Sequence, residues 1–351
     1  MTHTGILAFI GTYTRSQSRG IYSVRLDPST GALSEPAVAA ETTNPTFLAL
    51  SPDRRLLYAV RDSEAVAAAF AVDPSGSLKP LPAAPSPTAV APCHVSVDRT
   101  RRVLLATNYH TGFVAALPIL PDGALGPPKR IQHRGQGVHP VRQTSPHPHS
   151  VTISPDNRFA LVCDLGLDRI YTYRVDPERA ELAPPDAPFT PVAAGSGPRH
   201  LTFAAGGRRV YLVTEMGNTV VGFDYRDADG TLSAFQTVST LPPGWTGTSI
   251  AAEVRVHPNG RHLYASNRGH DSIAHFEVEP ESGRLSFVDA VGCGGKGPRH
   301  FALTPDGGWL LCANQQTDNL ASFRVDPGSG RLTPAGSAGG VPMPVCVLFF
   351  P

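Results

Sequence analysis

An apolar strand, a tight turn and a leucine recur seven times along the chain, and this repeat constrains the fold more than any other feature. The unit reads GIYSVRLDPSTGALS, AVAAAFAVDPSGSLK, FVAALPILPDGALG and DRIYTYRVDPERAELA, then NTVVGFDYRDADGTLS, DSIAHFEVEPESGRLS and DNLASFRVDPGSGRLT. The leucines are Leu33, Leu78, Leu125, Leu182, Leu232, Leu285 and Leu332, with spacings of 45, 47, 57, 50, 53 and 47 residues. Seven units of about 50 residues account for all 351. A period of 40–50 residues built from short strands signals a β-propeller. WD repeats are shorter and need a Trp-Asp pair, and kelch units carry a Gly-Gly pair that is not regularly placed here.

Residues 148–190 show the unit in full. PHSVTIS reads as strand a, FALVCD as strand b and RIYTYRV as strand c. SPDNR and DPERAE are the intervening turns, and LAPPDAPFT leads outward as strand d. The N-terminal GILAFIGTYT matches strand b and the C-terminal MPVCVLFFP matches strand a. The last strand is therefore expected to complete the first blade, which removes the open edges of a linear array. The expected fold is all-β, a seven-bladed β-propeller of four-stranded antiparallel blades, in one domain over residues 1–351.

Composition narrows the function classes. Gly and Pro number 34 and 35, and charged residues are only 17%. That much turn chemistry and so few charges argue against a helical bundle, a coiled coil and a polar disordered chain. Thirty basic and 29 acidic residues, with no block of like charge, argue against nucleic acid and membrane surfaces as partners. No signal-peptide pattern and no span-length apolar run is visible. The five cysteines are odd in number and lack C-x-x-C spacing, as in a reduced protein, so a cytoplasmic location is expected.

In a four-stranded meander, the a–b and c–d turns share one face of the ring. The start of strand a and the end of strand b share the other. The Pro-Asp-Gly turns fall on the first face and read as scaffold, including Asp27, Asp73, Asp176 and Asp326. The second face carries the pointed chemistry. Strand a starts with Thr46-Phe47, Cys93-His94, His149-Ser150, Arg199-His200, Ala252-Glu253, Arg299-His300 and Val345-Cys346. Strand b ends with Asn108, Asp164, Glu215, Asn267 and Asn314, followed by Tyr109-His110, Arg268-Gly269-His270 and Gln315. Polar groups converging on a channel mouth are the default site. His257, His262 and His275 fall elsewhere and read as structural or surface residues. The Asn and Asp side chains are also suited to capping backbone amides.

The segments IGTYT (10–14), HPHSV (147–151), DLGLD (164–168), GPRH (197–200), SNRGHDSI (266–273) and ANQQTD (313–318) resemble the seven-bladed lactonase family across the whole chain. That family includes propeller-type 6-phosphogluconolactonases and carboxy-cis,cis-muconate cyclases. The resemblance implies hydrolysis of a sugar lactone, with 6-phosphogluconolactone first among substrates. It implies His149, Arg199, Glu215 and Arg268 as catalytic residues. Where the family often has Asn-Glu-Leu, this chain has Thr214-Glu215-Met216.

The expected roles follow from side-chain chemistry. His149 is the preferred general base, since an ordinary histidine titrates near neutrality. Glu215, among arginines, stays ionised and orients water or an arginine. Arg199 and Arg268 bind the oxyanion or an anionic group. Arg299 and His300 are the phosphate candidates. His94, His110, His200, Glu253, His270 and Gln315 complete the expected substrate-binding set. No cofactor and no metal are expected, and the protein is expected to be a monomer or weak homo-oligomer.

Three alternatives remain open at this point. One is a cycloisomerase acting on a muconate-type diacid with the same residues. Another is a Ca²⁺-dependent lactonase using the oxygens of Asn108, Asp164, Glu215, Asn267 and Asn314. The third is a non-catalytic interaction propeller anchored by Tyr13, Tyr109 and Trp245. The segment 241–249 is a candidate substrate flap.

Overall fold

A computed structural model of the chain describes residues 5–61, 67–82, 92–184 and 189–350. Its strands form seven antiparallel sheets arranged as blades around a channel. There is no helix among the described residues. The closure expected from the two ends is present. Strand Pro344–Phe350 pairs antiparallel with Ile6–Thr12, and Gly20–Leu26 and Ala37–Glu41 complete that first blade.

In the fourth blade the order is Pro148–Ile153, Phe159–Asp164, Arg169–Asp176 and then Glu181–Ala183. Strand d comes in two pieces, since Phe189–Pro191 also pairs with Arg169–Asp176. Residues 185–188 of the expected strand d, like residues 1–4 and 351 of the expected domain, lie outside the described residues.

The apolar core is divided seven ways, one cluster between each pair of adjacent blades. Each cluster receives one of the seven repeat leucines. Leu125, Leu33, Leu232, Leu285, Leu332, Leu78 and Leu182 each pack into a different one. The repeat is therefore the period at which one blade must cover the next.

Polar contacts reinforce the same seams. The buried hydroxyls of Tyr58, Tyr211 and Tyr264 donate to the carbonyls of Gly123, Gly283 and Gly330 in the next blade's c–d turn. Trp309 Nε1 donates to Pro28 O of the first blade across the ring closure, at 3.1 Å. Asp27, Asp73, Asp176 and Asp326 cap amides within their own turns, as expected of scaffold.

Several inner strands carry a β-bulge at the channel mouth. The register shifts between Pro148 and Ser150, Pro198 and His200, Pro298 and His300, and Ala251 and Val254. A bulge sets an extra residue against the partner strand and re-aims its side chain. In a regular strand Arg199 and His200 would point to opposite faces. Here both line the channel.

Candidate active site

The inner-strand pairs sort into two layers. The first members Thr46, Cys93, His149, Arg199, Arg299 and Val345 line a cavity of about 370 Å³ at one mouth of the channel. Of the second members, Phe47, His94, His200 and His300 stack into a plug beneath it. Phe47 lies 3.9 Å from His94, 5.9 Å from His200 and 5.6 Å from His300 between ring centroids. A separate cavity opens at the opposite mouth, lined among others by Glu253 and Arg255.

Conserving this geometry falls to the loops between blades. The last aspartate of DLGLD, Asp168, accepts the amides of Gly195 and Gly197 at 2.7 and 2.8 Å. Asp271 of SNRGHDSI likewise accepts Gly297 N at 2.8 Å. Each aspartate thus holds the Gly-Pro-Arg-His entry of the following blade. Gly197 has φ of +64°, the left-handed region where an L side chain is strained and glycine is favoured. The Asn and Asp residues ending strand b do cap backbone. Asn108 accepts Thr111 N, and Asp164 accepts His147 N and Gly166 N. Thr214, in the same position, caps Thr219 N with its hydroxyl.

Glu215 does something else. Its Oε2 accepts Arg199 Nε at 3.0 Å and an Arg268 terminal nitrogen at 2.7 Å, and its Oε1 accepts Arg142. Its own backbone is pinned between neighbours, with Glu215 N on Gly197 O and Ala251 N on Glu215 O. Burial pushes the Glu215 carboxyl up, but the charges of Arg268 and Arg199 and the hydrogen bond from Arg142 outweigh it and hold it well below the usual range. Glu215 is therefore an ionised clasp for three guanidiniums.

Arg142 is the residue that sequence reading missed. It stands on the loop from blade 3 to blade 4, outside every repeat strand. The loop is fixed by buried polar groups. Gln143 Nε2 donates to Leu165 O at 2.8 Å while its Oε1 accepts the amides of Val138 and His139. His133 bridges Asp164 and Tyr173 at 2.6 and 2.8 Å. The only sequence signal was the density of polar residues in 133–147. Arg15, also missed, lies over the Tyr13 ring at 4.6 Å, and Arg299 lies over the same ring at 5.6 Å.

His149 sits in the first layer, edge-on to Tyr109 and His200. Its Nδ1 is buried with no hydrogen-bond partner. Burial, Arg199 and His200 hold its pKa well below the ordinary histidine value, so the ring is neutral. Arg199 is pushed down to about 9 by burial and by Arg268 and Arg299. It remains a cation at neutral pH.

The expected set is thus partly assembled. His149, Arg199, Glu215, Arg268, Arg299, His200, His300 and His110 line the basic cavity. His94 and Glu253 do not. They line only the opposite cavity, whereas His200 and His300, in the same place in their own pairs, reach both. His270 is turned away, with Nδ1 on Ser272 Oγ at 2.6 Å and its ring 5.2 Å from Trp245. Trp245 thereby packs on a neighbour and does not cover the cavity. Gln315 is tied through its backbone to Gly297 and does not line the cavity. His257, His262 and His275 are buried together in the sixth blade, away from both cavities. Among the described residues there is no cluster of three or more His, Cys, Asp or Glu side chains of metal-binding geometry, nor a helix long and apolar enough to cross a membrane.

Known proteins share both fold and sequence. The profile of the family described as Lactonase, 7-bladed beta-propeller matches residues 7–349. The chain is 37% identical to the 6-phosphogluconolactonase of Bacillus subtilis, over 99% of each. Among solved structures, the periplasmic gluconolactonase of Pseudomonas aeruginosa is 36% identical with a TM-score of 0.91, over 99% of each chain. A protein from Lactobacillus plantarum is 33% identical with a TM-score of 0.89, covering 99% of this chain and 100% of that one. With its motifs, its closure and its ring of blades in agreement, this chain belongs to the seven-bladed β-propeller lactonase family.

Proposed function

We propose that the protein, folded as one domain, hydrolyses 6-phosphogluconolactone to 6-phosphogluconate in the basic cavity. The observation that carries this reading is the charge of the lining. Arg15, Arg142, Arg199, Arg268 and Arg299 face a single carboxylate, Glu215. The arginines fall into two groups. Three are clasped by Glu215 beside His149, and two flank Tyr13. The first group suits the carbonyl oxygen as it becomes an oxyanion. The second suits a phosphate, which guanidinium groups bind in a plane and bidentately. Arg15 replaces His300 in that role, because His300 is engaged with Glu253 and Val347 N.

In this reading the water oxygen bonds to the carbonyl carbon while His149 takes its proton. Arg199 and Arg268 then stabilise the tetrahedral oxyanion. When the ring C–O bond breaks, the proton returns to the departing ring oxygen. Glu215 holds the arginines and takes no proton, since three guanidiniums keep it ionised.

Two separated cationic groups also fit a muconate-type diacid, so that substrate belongs in the same assay. A cytoplasmic location is supported by five free cysteines, four of them buried. The test is acid release from purified protein with 6-phosphogluconolactone, gluconolactone and carboxymuconate, with a chelator arm. Faster turnover of the phosphorylated lactone, lost in His149→Ala and unchanged by chelator, supports the reading. Turnover no faster than spontaneous opening overturns it.

A further inference from the structure

Among the described residues, Glu215 and Glu253 are the two carboxylates lining the channel cavities. Glu215 is committed to arginines, whereas Glu253 serves histidines. Glu253 is 1% exposed, and its Oε2 lies 2.8 Å from His200 Nδ1 and 3.2 Å from His300 Nε2. Its Oε1 accepts Val254 N at 3.1 Å and forms an ion pair with Arg255 Nε at 3.2 Å.

The His200 tautomer follows from these partners. Both His300 nitrogens face donors, Nδ1 the Val347 amide at 3.2 Å and Nε2 an Arg255 terminal nitrogen at 3.3 Å, so Glu253 holds only His200 in a single tautomer. His200 donates Nδ1–H to the same carboxylate, which leaves its lone pair on Nε2. That nitrogen makes no hydrogen bond among the described residues. The His200 ring lines the basic cavity and lies 5.2 Å from the His149 ring. The charged and titratable groups around this pair are Arg199, His94, His300 and Arg255 near His200, and Arg199, Arg299 and Glu215 near His149. His149 therefore has cations on two sides and no carboxylate of its own, while His200 has one in direct contact.

Building on the hydrolysis proposed above, we propose that Glu253 is a positioning residue for the hydrolytic proton. It holds His200 as the Nδ1–H tautomer, so that the proton taken from water is shared between His149 and His200 Nε2. The balance is simple. The water O–H bond breaks as the new C–O bond forms. The proton passes to His149 and, directly or across one water, to His200 Nε2, while Nδ1–H stays on Glu253. It returns by the same route to the ring oxygen when the ring C–O bond breaks. Nothing is oxidised or reduced.

The test compares wild type with Glu253→Gln, which keeps an oxygen toward His200 but removes the charge. With whichever lactone the wild type hydrolyses, kcat falls at least tenfold, KM stays within twofold, and the acid limb of the kcat–pH profile moves to lower pH. Arg255→Met, at a part-exposed position on the opposite mouth, moves that limb to higher pH. The second variant keeps the test alive where the first fails to fold. A purely structural role for Glu253 would lower the folded yield and leave the limb in place. An independent arm needs no turnover. Long-range proton–nitrogen NMR of the free protein is expected to show His200 protonated on Nδ1. A wild type without lactonase activity would sink the functional reading and leave this arm standing. An Nε2–H tautomer at His200, or an acid limb unmoved in both variants, overturns the inference.

Discussion

Acidification should destabilise this protein through its buried histidines before its carboxylates titrate. His94, His149, His200, His275 and His300 are each no more than 8% exposed. Burial is the leading cause of a lowered pKa at every one of them. It brings His94 and His300 down to about 3 and His275 down to about 4, with His149 and His200 well below the ordinary value of 6.5. The sign follows from linkage. Below pH 6.5 the unfolded chain binds protons at these rings and the folded chain does not, so stability is complete above 6.5 and drains as pH falls toward the folded values.

Each ring contributes a slope of about 1.4 kcal/mol per pH unit, so five together give about 7 kcal/mol per unit. Against a native stability of about 5–15 kcal/mol, folding is exhausted within roughly two units below 6.5. The assay is urea unfolding followed by circular dichroism between pH 8 and 5. The midpoint should be level above about pH 7.5 and fall steeply below 6.5. His275→Gln, remote from both cavities, should reduce the slope by about 1.4 kcal/mol per unit. A urea midpoint that stays constant down to pH 5 would refute the reasoning.

Other consequences are as direct. Glu215→Gln leaves three arginines without their counter-charge and should cost about 3–5 kcal/mol at pH 7. That is about 4–7 °C in Tm for a chain of this length. Because the Glu215 pKa is depressed, the carboxylate stays ionised throughout the pH range in which the protein is folded, so the gap between variant and wild type should be constant from about pH 8 to 6, which a Tm series would reveal. Gly31→Ala should cost roughly 2–4 kcal/mol, read from the urea midpoint. The residue has φ of +76°, and the added Cβ would lie 2.2 Å from Trp309 Cζ3 at the ring closure. Arg299→Met should raise KM for the phosphorylated lactone by about 10–100-fold, the range for losing a charge-assisted contact. Equal losses with gluconolactone would place Arg299 outside phosphate recognition.

The sequence alone determined the ring. Seven leucines at a period near 50 report seven blade seams, and burial enforces that period locally at every seam. The swap of strands at the two ends was legible for the same reason, since GILAFIGTYT and MPVCVLFFP keep the patterns of strands b and a. The face bearing the chemistry was legible too, because meander topology assigns each loop to one side.

What sequence could not determine was depth and direction within that face. Arg199 and His200 are adjacent, yet a bulge sends both into the channel at different levels, one to Glu215 and the other to Glu253. His94 and Glu253 read like cavity residues and lie in the layer below it. Arg142 carries no repeat signature, and only the packing of Gln143 and His133 beneath its loop brings it to Glu215. A repeat is written by contacts that recur between neighbouring blades. A site on the axis is built once, from side chains of many blades meeting across the ring, and that meeting exists only in the closed tertiary structure.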